Sequence, residues 1–116
     1  MDRTEQPHLV RPAAEGRTSR DLSTPAGMAR VGVEELRLPA GRRATISGAP
    51  RAEGFVYVLD GQGSAACAGV EQAMESGDCL GLAPGETLSV RNPHTKPLVL
   101  FVAFSEGGTG SVRLEP

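Results

Sequence analysis

The fold is decided between Gly54 and Asn92. The stretch runs Gly54-Phe-Val-Tyr-Val-Leu-Asp-Gly61, then Gln-Gly-Ser-Ala-Ala-Cys-Ala-Gly69, Val70 to Ser76, Gly77-Asp-Cys-Leu-Gly-Leu-Ala-Pro-Gly85, and Glu86 to Asn92. Apolar runs of about four to six residues are closed in turn by Asp-Gly, Gly, Gly-Asp, Pro-Gly and Asn-Pro. Short apolar runs with turn residues at regular spacing are antiparallel strands, and several in succession make a sandwich or barrel. Asp60-Gly61 with Gly63 predicts a tight hairpin turn between strands 55–59 and 64–68. Further strands are expected at 42–46, 72–74, 79–82 and 87–90, and one or two over 28–38. Leu98 to Phe104 is apolar without a break and is expected to be covered on both faces. No helix and no internal repeat is legible.

Working outward, the 116 residues allow one domain with one core. Aromatics are 3% and Trp is absent, so Val, Leu and Ala must fill that core. Residues 1–24 lack apolar periodicity and read as a flexible arm, residues 25–110 as the domain, and 111–116 as a polar tail. A net charge of −2 without a dense basic patch argues against nucleic acid as partner. No apolar run approaches the ~20 residues of a helical membrane span, and Met1 to Arg20 has no signal-like apolar stretch. A soluble cytoplasmic protein with no membrane partner is expected. Cys67 and Cys79 are too few for a cysteine metal cluster or a disulfide scaffold, and read as small core thiols.

The chain resembles the cupins over roughly residues 28 to 104. The family's second motif is Gly-Asp, four residues, Pro, any residue, Gly, two residues, His, three residues, Asn. Here that spacing gives Gly77-Asp78, Ala83 in place of Pro, Gly85, Leu88 in place of His, and Asn92. The first motif ends in the strand Phe55-Val-Tyr-Val-Leu-Asp-Gly61. Its glutamate position falls on Gly54, and its two histidine positions fall among Ser47, Gly48, Ala49 and Pro50. The resemblance implies an all-β, single-domain, cupin-type double-stranded β-helix, or jelly-roll barrel. It also implies a homodimer, which the family often forms through its sheets.

In that family imidazoles and a carboxylate converge on a metal inside the barrel. Here those positions carry almost no donors, so no metal and no cofactor is expected. Glu53 is one residue off the carboxylate position, which turns it to the other face of the strand. His94 lies in the turn after Asn92-Pro93. Alternation from Gly54 sends Val56 and Val58 inward and Phe55, Tyr57 and Leu59 outward. By the family's pattern Ala65, Cys67, Gln72, Met74 and Leu88 also face in, with Arg51 and Glu53 at the mouth. The expected ligand site is therefore Val56, Val58, Cys67, Gln72, Met74, Leu88, Arg51 and Glu53, with no catalytic residue assigned. Each of the interior residues is equally at home as plain core, and Arg51 and Glu53 as an exposed pair.

Three functional classes fit. The first is a metal-free cupin binding a small, largely apolar metabolite in a non-enzymatic or accessory role. The second is a metal-independent isomerase, cyclase or dehydratase of a biosynthetic pathway. The third is a structural or interaction module using the Phe55, Tyr57 and Leu59 face.

Overall fold

The computed structural model describes residues 19–21, 32–48, 50–105 and 111–115. Ten strands form two five-stranded antiparallel sheets. In chain order they are β1 (Ser19–Asp21), β2 (Gly32–Leu38), β3 (Arg43–Ser47), β4 (Gly54–Asp60), β5 (Gln62–Cys67), β6 (Val70–Glu75), β7 (Cys79–Leu82), β8 (Thr87–Arg91), β9 (Leu98–Phe104) and β10 (Ser111–Glu115). One sheet has the order β1-β2-β9-β4-β7 and the other β10-β3-β8-β5-β6. Consecutive strands often sit in opposite sheets, which is the jelly-roll way of wrapping one core between two sheets.

Most turns form where the sequence places them, but the hairpin expected between strands 55–59 and 64–68 does not: β4 is paired on both sides, by β7 and β9, and β5 by β6 and β8, so at Gly61 the chain crosses from one sheet to the other. Gly41, Gly61, Gly77 and Gly85 all have positive φ. At Pro84-Gly85 the Glu86 amide donates to the Ala83 carbonyl at 3.0 Å, closing a turn with proline first and a positive-φ glycine second. The β5–β6 hairpin turns on Ala68 (φ 51) and Gly69 (φ 80), the two left-handed positions of a type I′ turn.

The inner faces meet in one buried cluster: Leu36 and Leu38 of β2, Ala44 and Ile46 of β3, Val56 and Val58 of β4, Leu88 and Val90 of β8, and Leu98, Leu100, Val102 and Phe104 of β9, with Ala65, Met74 and Leu82. The register accounts for it. Val56 lies opposite Val102 and Val58 opposite Leu100, while Ile46 lies opposite Leu88 and Ala44 opposite Val90. Directly opposed residues share a face, so alternation along each strand stacks aliphatic on aliphatic. β9 lies between β2 and β4 and is covered along its length, with only Phe101 part-exposed, as its unbroken apolar run predicts.

Two boundaries differ from expectation. The arm expected over 1–24 contains β1, which pairs with β2 from Ser19↔Leu36 to Asp21↔Glu34. The rest of that arm lies outside the described residues. The tail expected at 111–116 is instead β10, paired with β3 from Ser111↔Ser47 to Glu115↔Arg43. Val112 and Leu114 pack against the core cluster, which supplies the reason. Both additions are edge strands, where polar and charged residues blunt further pairing and mask the strand signal.

Candidate functional site at the mouth of the barrel

One end of the barrel is bounded by the start of β4, the end of β9, the β3–β4 loop and the turns after β5 and β7. Here Phe104 is the central side chain, 3% exposed. It lies opposite Gly32 on one neighbouring strand and opposite Gly54 on the other. A Cβ placed on Gly54 would stand 2.8 Å from the Phe104 Cδ1 and 2.8 Å from the Ala103 carbonyl oxygen. A Cβ on Gly48, in the facing sheet, would stand 3.6 Å from the Phe104 Cε1. The ring thus lies against the backbone of Gly54 and close to Gly48, a packing that larger side chains at those positions would obstruct.

Most polar groups of this end come from the other sheet and its turns. Cys67, half-buried at the end of β5, donates its thiol hydrogen to Glu86 Oε2 at 3.5 Å. The other carboxylate oxygen of Glu86 accepts the Ala83 amide at 2.7 Å, so the turn at Pro84-Gly85 fixes the side chain. Burial first, then the hydrogen bond to Glu86 and its negative charge, push the Cys67 thiol above its ordinary value. Cys67 is accordingly held as a thiol, not activated as a nucleophile. Nearby, the hydroxyls of Ser47 and Thr87 are 3.3 Å apart, and Ser105 ties the mouth loop by donating its amide to Glu53 O at 2.8 Å and accepting the Glu53 amide at 3.0 Å.

The residues expected at the site separate into four groups. Val56, Val58, Met74 and Leu88 face inward and are buried in the core cluster. Cys67 stands at the rim and packs against that cluster, whereas Cys79, also read as a core thiol, is exposed at the start of the edge strand β7. Arg51 and Glu53 are exposed on the loop before β4. Gln72 departs from expectation: it is exposed, because β6 is the edge strand of its sheet and only Met74 along it is covered. Sequence reasoning passed over Phe104 and Glu86. Glu86 sits inside the second motif, three residues after Ala83, at the spacing that lets a carboxylate clip its own turn. Phe104 has no local signal, since its glycine neighbours are 50 to 72 positions away in sequence.

At the opposite end of β4, about 20 Å away by strand length, Asp60, Gln62, Glu75, Ser76, His94 and Lys96 line an open groove of about 460 Å³. The turn that carries His94 and Lys96 is fixed by Asn92, fully buried. The Asn92 amide group donates to the Leu38 carbonyl at 2.9 Å and the Lys96 carbonyl at 2.8 Å, and its Oδ1 accepts the His94 amide at 3.0 Å. His94 and Glu53 therefore stand at opposite ends of the barrel.

The architecture is that of a small double-stranded β-helix protein whose interior is aliphatic and whose mouth carries one aromatic ring and one thiol–carboxylate pair. The family model described as the cupin domain matches residues 35–104, more than half of the chain, and the chain belongs to that family. No curated protein matches it. Among solved structures it is similar to a protein with a double-stranded β-helix domain from Klebsiella pneumoniae (15% identity, TM-score 0.69, covering 92% of this chain and 90% of that one). It is also similar to a cupin protein from Bacteroides fragilis (18% identity, TM-score 0.71, 86% of each chain). A third likeness is to a sugar phosphate isomerase of the cupin superfamily from Silicibacter pomeroyi (23% identity, TM-score 0.66, 81% of this chain and 62% of that one).

The family's metal can be tested against the side chains present. The carboxylate position is Gly54, where the Phe104 ring and the Ala103 carbonyl leave no space for a longer side chain. The third imidazole position is Leu88, 2% exposed within the aliphatic cluster. Among the described residues no three His, Cys, Asp or Glu side chains come together as a metal-binding set. The residues at these positions do not fit the family's metal.

Proposed function

We propose that this chain is a metal-free cupin that holds a small, largely apolar organic molecule at the mouth of its barrel, in a non-enzymatic or accessory role. The observation that carries this reading is the Phe104 ring standing against Gly54, where the family places its carboxylate ligand. The ring, 3% exposed, closes the interior at this level, so a guest is held at the rim, where Glu86 adds one fixed acceptor to orient a donor group. A sugar phosphate would find little to hold it there: Arg51 is the one cation expected at the mouth, and it is exposed on a loop.

Two measurements test the reading together. After dialysis against a weak chelator, elemental analysis is expected to show no stoichiometric Fe, Mn, Zn or Ni. A thermal-shift panel of small aromatic and aliphatic metabolites is expected to raise the melting temperature of the wild-type chain, and less so that of Glu86→Gln. About one equivalent of metal, or a panel response confined to phosphorylated sugars, would overturn it.

A second observation supports self-association. Phe55, Tyr57 and Leu59 project from one face of β4 and are 44%, 37% and 37% exposed. Their neighbours across the sheet are short or flat: Gly81 and Cys79 on β7, Ala103 and Phe101 on β9. An aromatic strip on a flat sheet is a surface that a second copy can cover face to face.

A further inference from the structure

We infer that Phe104 is an internal plug that sets the depth of this barrel, keeping guests at the rim, and that its removal opens an apolar site for a benzene-sized molecule. Three glycines on three strands or strand ends meet at this one ring. Gly32 and Gly54 are its direct partners on β2 and β4, and Gly48 approaches from the facing sheet. The contact distances at Gly54 show how closely the ring and the backbone are fitted: a single added methyl would press on both the ring carbon and the Ala103 carbonyl, each at 2.8 Å. Real Cβ atoms do not approach so closely, so ring and methyl compete for one volume. Below the ring the wall is aliphatic, with Val102, Val56 and Leu82 on the same sheet. The side chains around a void left there are aliphatic, and a void lined in this way takes up small apolar guests.

The ring lies against Gly54, the position of the family's carboxylate ligand, so ring and carboxylate side chain are alternatives in the same space. With the ring of Phe104 in place, position 54 has room for glycine only. Specificity follows from the same geometry. With the ring in place a ligand meets a floor at the level of Gly54 and is read at the rim by Glu86. With the ring removed the barrel accepts unsubstituted aromatics at depth. The reading of guests at the rim rests on the proposed mouth site; the plug itself does not.

The experiment compares wild type with Phe104→Ala, using benzene as the probe. Benzene near its solubility limit is expected to raise the melting temperature of Phe104→Ala by about 3–5 °C and to leave wild type unchanged. An equal response of the two proteins, or none in a folded Phe104→Ala, would overturn the plug. Should Phe104→Ala not fold, Phe104→Val decides. Gly54→Ala is expected to lower the denaturant midpoint less in the Phe104→Val background than in wild type, with a residual loss from the Ala103 carbonyl. Equal losses in both backgrounds would show that the ring does not occupy the space over Gly54. The metabolite panel above reads wild type alone, so its failure and the failure of the plug are separate results.

Discussion

At the scale of single residues, the best-connected side chain is Asn92. It is fully buried and makes three side-chain hydrogen bonds to backbone: both amide hydrogens to the Leu38 and Lys96 carbonyls and its oxygen to the His94 amide. Its own backbone is bonded to Arg42 and Gly41. Truncation leaves those partners unpaired, and the Leu38 carbonyl has no ready access to water. Asn92→Ala is therefore expected to cost about 2–4 kcal/mol, read as a lower urea midpoint with little change in slope. A cost under about 0.5 kcal/mol would mean that water replaces the side chain freely. Cys67 makes a second case. Its thiol is raised by burial and by Glu86. The group has a folded value above its unfolded one, so its contribution to stability is complete below the unfolded value and is lost as the pH climbs through the folded one. Removing the charge with Glu86→Gln lowers the folded value. Alkylation of Cys67 at pH 8, followed by mass spectrometry, is expected to be slower than that of exposed Cys79 in wild type and to accelerate in Glu86→Gln. An unchanged rate would show that the carboxylate does not govern the thiol.

At the scale of elements, the strands were legible because their turns are chemically explicit. Asp60-Gly61, Ser76-Gly77-Asp78 and Pro84-Gly85 mark β4 to β8 within one or two residues. β1 and β10 were not, because an edge strand pairs on one side only and can be built from charged residues such as Arg20, Asp21, Arg113 and Glu115. β10 does alternate, with Val112 and Leu114 toward the core, but two apolar residues among polar neighbours are a faint signal. The mouth was the least legible part. Its two decisive contacts, Phe104 over Gly54 and Cys67 with Glu86, span 50 and 19 positions and depend on cross-strand register, which no local pattern encodes. Gln72 shows the converse limit: alternation gives the correct strand face, but only the sheet order says that this face is uncovered at an edge. The β5–β6 hairpin carries a prediction of its own. Ala68 is the one non-glycine among the described residues with positive φ, and its exposed Cβ gains nothing there. Left-handed backbone costs a non-glycine residue about 1–2 kcal/mol, partly offset by the greater unfolded freedom of glycine. Ala68→Gly is expected to raise stability by about 0.5–1 kcal/mol, and Ala68→Val to lower it; thermal melts of the pair check both signs. If Ala68→Gly melts below wild type, the turn is not type I′ in solution.

At the scale of the whole molecule, the two sheets are used differently. Inward, both give aliphatic side chains to one core, and the ring of Phe104 closes that core at the mouth. Outward, β4 of the first sheet presents Phe55, Tyr57 and Leu59, which account for three of the four large exposed apolar side chains among the described residues. Their exposure does not serve the fold, since Val56 and Val58 on the same strand already supply its buried face. Aromatic residues of this kind anchor interfaces, and an isologous contact lets one strip meet itself about a two-fold axis. A stable contact needs roughly 800 Å² from each partner, so β2, β7 and β9 must join β4 in forming it. Sedimentation at about 100 µM is expected to give a species of twice the 12.1 kDa chain mass, dissociating on dilution. Tyr57→Lys places a like charge at the centre of the two-fold contact and is expected to give monomers at all concentrations. Because Tyr57 points away from the core, the isolated fold should survive, with an unchanged circular dichroism spectrum. A wild-type chain that sediments at 12.1 kDa throughout, or a Tyr57→Lys variant that still dimerises, would remove this face from consideration as the dimer contact.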